Sequence, residues 1–231
     1  MAGTATHLAI ADKIYEMKNC KIKNPALFYS GNIAPDAIHA KTNYQRSDKK
    51  RTHLTENISG NDFQNPEKIA MFHTRVNNFI DAYYDPNDKY ADLYLGYIVH
   101  LITDELFNIH IREKFVIRME EDGVYNEDPE FFKRIISDIE NIDHIVINRY
   151  PYKKNIKQLL NDVWDYEIKD YISSDEINRS KKWIIDTYLS GKATDSKALY
   201  YDYESAYNFV LFASGNIVNR LTNNIDYKII L

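Results

Sequence analysis

Apolar residues recur at helical rather than strand spacing along most of this chain. Alternating runs of Val, Ile and Thr are scarce, and the 231 residues include only seven Gly and six Pro. Such a pattern favours helices, because strands of a half-buried sheet alternate apolar and polar positions. No internal repeat, linker or low-complexity tract interrupts it. The sequence therefore predicts an all-α fold, with a single multi-helix domain over residues 1–231.

The same periodicity predicts about seven helices, separated by Pro, Gly and Ser breakers. They cover residues 7–18, 66–84, 89–121, 129–149, 153–171, 174–190 and 200–222. Thr6 is the expected N-cap of the first helix, and residues 21–62 are expected to be irregular. Because residues 89–121 are apolar on several sides, we expect the middle of this central helix to be buried.

Composition and charge exclude several classes of protein. A net charge of −5 and a pI near 5.8 argue against a protein that coats duplex nucleic acid. The single Cys20 excludes an intramolecular disulfide and an all-cysteine metal site. The first residues lack the pattern of a secretory signal, and no apolar run approaches the ~20 residues of a membrane span. These features predict a cytoplasmic protein without stable membrane insertion.

The first candidate for chemistry is a His–Asp pair on the central helix. His100 and Asp104 are four residues apart, so they share one helix face with Cβ atoms about 5–6 Å apart. Their neighbours are Ile, Val and Leu, and a buried carboxylate is costly unless a charge or a metal ion pairs with it. A shared metal ion is one interpretation. A His–Asp hydrogen bond that fixes helix packing, or a solvent-facing stripe, is the alternative.

A second candidate is the loop that follows Ser30. Gly31 permits a tight backbone path, and Pro35 restrains the residue before it to an extended shape. Such a loop can present Asp36 as an oxygen ligand, and His39 faces the same way if a helix begins at Asp36. The alternative is that Asp36 is a helix N-cap.

Two further histidines lie outside the central helix. His53 follows the basic run Lys49, Lys50 and Arg51, and positive charge beside a metal ion is what a phosphate-handling site uses. Its alternative is an exposed position. His7 lies at the start of the first predicted helix, where a surface position is the alternative to metal binding.

Of the remaining histidines, His110 follows His100 by ten residues. On a straight helix it lies about 80° round and ~15 Å further along the axis. It therefore serves a second metal ion or is a solvated surface residue. His73 and His144 are interpreted as structural or surface residues, although acidic neighbours leave a metal role open for His144.

Motifs of other hydrolases are absent. The chain contains no G-x-S-x-G nucleophile elbow, no P-loop and no H-E-x-x-H zinc-protease signature. With these motifs absent, the candidates for chemistry are the His and Asp residues described above.

In their order along the chain, these elements resemble the zinc-dependent phospholipase C and single-strand nuclease superfamily. The matching pattern is His7, a G-x-x-x-P-D loop from Gly31 to Asp36, the lone His53, and a G-x-x-x-H-x-x-x-D helix that ends at Asp104. The similarity spans roughly residues 5–111. The PDAIH loop and the HLITDE helix are similar to the short, unsecreted bacterial members.

The resemblance implies a helical fold with up to three zinc ions in a cleft. One ion is held by four residues that match Asp36, His53, His100 and Asp104. A second is shared by the residues that match Asp104 and His7, together with the N-terminal amine of a mature Trp. The third uses the match of His110 and then an H-x-x-x-E/D pair. Because this chain begins Met-Ala-Gly and no such pair follows His110, only the first site is complete in the sequence.

The resemblance also implies phosphoester hydrolysis, in which a zinc-activated water attacks phosphorus. Asp36 would be both ligand and acceptor of the proton, and the basic run from Lys49 through Lys50 to Arg51 would orient the phosphate. Phospholipid, nucleotide and small phosphoester substrates are all open. Two alternatives remain: a non-catalytic helical scaffold or binding protein with a relic metal site, and a different helical metal-dependent phosphohydrolase.

Overall fold

Helices account for nearly all regular structure in the protein. The computed structural model describes residues 1–17, 21–125, 128–190 and 197–222. Within these ranges the extended pairing is a single antiparallel bridge between Ile168 and Ile172. The α-helices are α1 (Thr4–Met17), α2 (Pro25–Ile33), α3 (Arg46–Thr52), α4 (Pro66–Tyr83), α5 (Ala91–His110), α6 (Arg112–Glu121), α7 (Pro129–Arg149), α8 (Ile156–Asn161), α9 (Ser174–Thr187) and α10 (Tyr203–Thr222). The predicted all-α fold is confirmed.

Four predicted helices agree with α4, α7, α9 and α10 to within a few residues. The predicted helix over residues 89–121 is wrong in one respect, because it is interrupted at Ile111 and forms α5 and α6. Ile111 and Phe115 are both buried, so the apolar pattern continues across the break. Periodicity alone therefore did not reveal the interruption.

The prediction that residues 21–62 are irregular is wrong. This stretch contains α2, α3 and two 3-10 helices, Pro35–Ala40 and Gly60–Gln64. Pro25 opens α2 at its first turn, and the side chain of Asn24 caps it by accepting from the Leu27 amide. Proline here marks helix starts, where its missing N–H is not needed, rather than a loop.

Two other boundaries also differ from the prediction. Residues 153–171 hold only α8, followed by turns in which Asp165 and Asp170 adopt positive φ. Helix α1 starts at Thr4, so Thr6 lies inside the helix and is not its N-cap. The predicted end of that helix at residue 18, and Cys20, lie outside the described residues.

A carboxylate from another helix caps α1. Asp143 of α7 is buried and accepts from the amides of the first turn, with Thr6 N–H at 3.4 Å from its Oδ1. This contact brings α1 against α7, and α1 also packs against α2 and α10. The capping group was not visible in the local sequence because it lies 137 residues away.

The central contact of the fold is the close crossing of α2 and α5. A Cβ atom added to Gly31 would lie 1.9 Å from the Leu93 carbonyl oxygen, and one added to Gly96 would lie 2.1 Å from the Phe28 carbonyl oxygen. Only glycine fits at this backbone-to-backbone contact. The middle of α5 is buried on every side, as its apolar pattern predicted. Within the described residues, no helix has the length and apolarity needed to cross a bilayer.

Candidate metal centre

Five His and Asp side chains from separate segments meet beside the crossing of α2 and α5. They are His7 of α1, Asp36 of the first 3-10 helix, His53 at the end of α3, and His100 and Asp104 of α5. Their donor atoms form two groups, His7–His100–Asp104 and Asp36–His53–His100, and within each group all atoms lie within 4.8 Å of one another. Because His100 belongs to both groups, the two groups are adjacent.

His53 lies in the middle of this cluster. Its Nε2 atom is 3.2 Å from His100 Nε2, 3.3 Å from Asp36 Oδ1 and 3.6 Å from Asp104 Oδ2. His53 and His100 are buried, whereas 22% of the Asp36 side chain is exposed. The cluster therefore reaches solvent on the side of Asp36.

Asp104 connects the two groups. Its Oδ2 atom is 3.6 Å from His100 Nε2, and its Oδ1 atom is 3.4 Å from His7 Nε2. The rings of His7 and His100 stack with their centroids 3.7 Å apart and their planes 2° from parallel. One carboxylate thus faces three imidazoles: its Oδ1 atom faces His7, and its Oδ2 atom faces His53 and His100.

Hydrogen bonds indicate which nitrogen carries the proton in His53 and in His100. His100 Nδ1 lies 2.7 Å from the Asn32 carbonyl oxygen, and His53 Nδ1 lies 2.9 Å from the Lys49 carbonyl oxygen. A carbonyl only accepts, so both Nδ1 atoms carry hydrogen in the neutral rings. The two Nε2 atoms then face each other at 3.2 Å with bare lone pairs. A cation between them resolves that conflict.

The electrostatics match a divalent cation. Burial lowers the pKa of His53 to about 4, so the imidazole is neutral at pH 7. Burial alone would raise the pKa of Asp104, but hydrogen bonds and positive charge from protonated His100 and His7 hold this pKa well below its usual range, and a bound cation in place of those protons would favour the ionised carboxylate in the same way. Neutral imidazoles and ionised carboxylates form the donor set that zinc prefers.

Orphaned polar atoms give an independent test of the fit. Among the described residues, both ring nitrogens of His7 and Oδ2 of Asp104 are buried without a hydrogen-bond partner. A buried polar atom without a partner costs about 1–3 kcal/mol. His7 Nε2 lies 3.4 Å from the Asp104 carboxylate, so a metal ion between these two side chains would give both a partner, and the residues fit zinc.

The turn after α3 sets the position of His53. Leu54, the next residue, is buried with φ at 56°, a strained conformation for a residue with a branched side chain. Arg75 of α4 donates to the carbonyl oxygens of Leu54 at 3.0 Å and Glu56 at 2.7 Å. Sequence reasoning missed Arg75 and Asn32, because both act on or through backbone carbonyls, which leave no residue-type signal.

The first residues of the chain lie beside Asp104. The Ala2 backbone amide donates to Asp104 Oδ1 at 2.8 Å. Burial lowers the pKa of the Met1 amine to about 6, and Met1 lines the cavity above the cluster. The carboxylate oxygen that faces His7 is therefore also held by the backbone of this segment.

Two predicted ligands do not join the cluster. Although side chains three residues apart eclipse on a 3-10 helix, His39 is exposed and its ring packs against that of Tyr44, with the centroids 5.0 Å apart. His110 is exposed at the end of α5 and contacts the Phe212 ring at 4.8 Å, since ten residues of straight helix carry it away from His100. Neither belongs to a metal-binding group among the described residues.

The alternatives for other residues are also resolved. Asp36 is not an N-cap, because Ala34 occupies that position of its 3-10 helix. His73 is structural and bonds Glu105 at 2.9 Å, and His144 contacts the Tyr188 ring.

A cavity of about 230 Å³ opens onto His53 and Asp104. Its cationic lining residues are Arg46, Lys49, Lys50 and Arg112, and its apolar ones include Ile58, Phe63, Phe72, Leu101 and Phe132. Lys49 Nζ pairs with Asp36 Oδ1 at 2.7 Å. Arg51, predicted to bind phosphate, points elsewhere and donates to the carbonyl oxygens of Asp170 and Tyr171.

An all-helical fold surrounds a buried His/Asp cluster that could hold a metal ion, beneath a cationic cavity. The model of the family described as zinc dependent phospholipase C matches residues 6–174. The chain belongs to this family, and the resemblance seen in the sequence is confirmed. Searches of curated proteins and of solved structures found no match.

Proposed function

We propose that this protein is a zinc-dependent phosphoester hydrolase that acts on a phosphodiester or phosphomonoester. The observation that carries the proposal is the pair of imidazole lone pairs, on His53 and His100, that face each other at 3.2 Å. Two facing lone pairs repel each other, whereas a zinc ion would bind both of them as ligands.

The ligand assignment follows from the two groups. Asp36, His53, His100 and Asp104 would hold one zinc ion. A second would lie between Asp104 and His7, whose ring nitrogens have no hydrogen-bond partner among the described residues. When bound, zinc would lower the pKa of a water molecule, so that the water loses a proton near neutral pH and becomes a nucleophile for phosphorus, and it would neutralise charge on the phosphoryl oxygens.

Asp36 is placed to accept the proton of the attacking water. It is the more exposed of the two carboxylates of the cluster, and its Oδ1 atom lies 3.3 Å from Nε2 of His53, a residue that lines the cavity. Burial raises its pKa, but Lys49 and His53 outweigh that effect and hold the pKa well below its usual range. Asp36 is therefore ionised near neutral pH and offers the acceptor oxygens that proton transfer from the water requires.

The cationic cavity supports an anionic substrate. Lys50 and Lys49 lie on its wall next to His53, where an ammonium group can contact a phosphoryl oxygen. Lys49 is already paired with Asp36, so Lys50 is the better placed of the two to orient the phosphate. The cavity of about 230 Å³ suits a small phosphoester or the head group of a larger one.

Metal removal and replacement test the proposal. Chelator-treated protein should lose hydrolysis of bis(p-nitrophenyl) phosphate and p-nitrophenyl phosphate, and added zinc should restore it. The His53→Gln variant should lose most of the zinc and at least about 100-fold of the activity. The matched control is His144→Gln, a histidine outside the cluster, which should keep both. Protein that binds zinc stoichiometrically but hydrolyses no phosphoester would support the scaffold interpretation instead.

A further inference from the structure

Two arginines face the cavity at some distance along the chain from the zinc ligands. Arg46 begins α3 and Arg112 begins α6, and both line the cavity that contains His53 and Asp104. They come from segments far apart in sequence, so only the fold brings them to one cavity. The role of the zinc ligands does not require either residue.

Neither guanidinium forms an ion pair within the described part of the chain. Among the described residues, no carboxylate pairs with Arg46 or Arg112, whereas Lys49 pairs with Asp36 and Lys41 with Asp48. The polar partner of Arg112 is the neutral Asn61, whose Oδ1 accepts from Nε at 2.9 Å. This bond leaves the charge of the guanidinium and its remaining donors available.

Aromatic rings hold both side chains in place. The Arg46 guanidinium carbon lies 5.4 Å from the centroid of the Phe132 ring, and that of Arg112 lies 5.9 Å from the Phe131 ring. The two rings are neighbours at the start of α7. Each guanidinium is therefore oriented by a ring that attracts the cation but does not cancel its charge.

The two positive charges also act on each other. Burial and the charge of Arg46 lower the pKa of Arg112. Like charges that share a partly buried cavity repel, and a bound anion relieves the repulsion. Of the described residues that line this cavity, Asp104 is the only one with a carboxylate, and it is already a zinc ligand in the proposed function.

We propose that Arg46 and Arg112 bind a second anionic group of the substrate, so that the preferred substrate is a phosphoester that carries a further phosphate or carboxylate. The inference rests on the proposed function, in which the zinc ligands engage the scissile phosphate. A substrate with a cationic head group is disfavoured, because the described residues of the cavity wall offer it no free carboxylate.

Two matched substrates test this specificity. Ethyl p-nitrophenyl phosphate and 2-carboxyethyl p-nitrophenyl phosphate share a leaving group and differ by one carboxylate. The zinc-loaded protein should show a kcat/KM at least about 10-fold higher for the carboxylate-bearing diester. In the Arg46→Gln, Arg112→Gln double variant this preference should fall to about 2-fold or less. The matched control, Arg179→Gln, changes an exposed arginine that pairs with Asp175 on α9 and should keep the preference.

Increasing salt provides a test that needs no variant. Since the cavity is open to solvent, the preference of the parent protein for the charged diester should decline between about 50 mM and 500 mM NaCl. Equal kcat/KM values for the two diesters at low salt would overturn the proposal, whether or not the double variant folds.

A binding measurement separates this proposal from the proposed function. Calorimetry with inorganic pyrophosphate on the zinc-free protein should show binding that weakens at least about 10-fold in the double variant and is unchanged in Arg179→Gln. Arginine-dependent binding without any hydrolysis would refute the hydrolase and retain the anion site. Hydrolysis of both diesters with equal pyrophosphate binding by parent and double variant would retain the hydrolase and refute the anion site.

Discussion

Asp104 has the most demanding position in the centre. Its Oδ1 atom faces the Ala2 amide at 2.8 Å and His7 at 3.4 Å, while its Oδ2 atom faces His53 and His100, each at 3.6 Å. Both proposed zinc ions therefore depend on this carboxylate. An amide in its place keeps the shape of the side chain but removes the charge and one acceptor oxygen.

We accordingly predict different costs for two substitutions on α5. Asp104→Asn should lower zinc content and reduce phosphoester turnover by at least about 100-fold, because it weakens both ion sites. His110→Gln should leave both unchanged, since His110 is exposed against Phe212. Zinc stoichiometry and turnover of the two variants beside the parent provide the measurement. The parent should hold one ion tightly and a second more weakly. An Asp104→Asn protein with full zinc and full activity would refute the catalytic interpretation.

Asp143, a residue outside the zinc centre, makes stability depend on pH. Burial raises its pKa to about 7, although the amides of Ala5, Thr6 and Thr4 favour the ionised form. In the unfolded chain the pKa is about 3.9. Because the folded pKa is the higher one, the stabilising contribution is complete below about pH 4 and is lost as the pH rises to about 7.

The Asp143→Asn variant should lack this dependence. Between pH 4 and pH 7 the free energy of unfolding of the parent should decline relative to the variant by up to about 1.4 kcal/mol per pH unit. Urea denaturation of both zinc-free proteins at several pH values measures the difference, in which the titration of all shared groups cancels. A difference that stays constant from pH 4 to pH 7 would show that Asp143 ionises normally in the folded protein.

Among the elements, the crossing of α2 and α5 positions the centre. α2 supplies the Asn32 carbonyl that orients His100, and its end leads directly into the 3-10 helix that carries Asp36. Backbone contact at Gly31 and Gly96 allows the Asn32 carbonyl and the Asp36 carboxylate to approach the residues of α5. A side chain at this contact would push α2 and α5 apart, and the candidate ligands that they carry would move apart with them.

Gly96→Ala is therefore expected to destabilise the protein by about 3 kcal/mol or more and to reduce zinc affinity, because its Cβ would overlap the Phe28 carbonyl. Gly215→Ala on α10 is the matched control. No atom outside its own helix lies within 4 Å of a Cβ at Gly215, so alanine should stabilise the helix by about 0.5–1 kcal/mol. Denaturation midpoints and zinc titrations of the two variants test the contrast. Equal effects of the two substitutions would contradict the close crossing.

At the scale of the whole molecule, we expect zinc binding and folding to be coupled. The ligands come from α1, the first 3-10 helix, the end of α3 and α5, so unfolding separates them. Zinc at about 100 times its dissociation constant should raise the free energy of unfolding by about 2.7 kcal/mol. A chelator should reverse the gain, and Asp104→Asn should diminish it. Thermal unfolding with and without zinc provides the measurement, and an unchanged midpoint would mean that zinc binds elsewhere or not at all.

Local chemistry allowed much of this protein to be predicted from its sequence. The spacing of four residues places His100 and Asp104 on one face of α5, whatever the rest of the fold does. Pro66 and Pro129 each open a helix, so the starts of α4 and α7 were predicted to the residue. The order of His7, Asp36, His53 and the α5 pair indicated the family, because each motif lies in a short, continuous segment.

Tertiary structure decided what short segments cannot encode. His53 and His100 are 47 residues apart, and the orientation of their rings depends on the carbonyl oxygens of Lys49 and Asn32, which every residue type possesses. The break at Ile111 divides the predicted long helix into α5 and α6. Arg51 donates to backbone carbonyls of Asp170 and Tyr171 and does not line the cavity. Helix packing brought Arg112 to that cavity. Burial, carbonyl direction and the approach of distant side chains arise only when helices pack, so these features of the centre were settled by the fold.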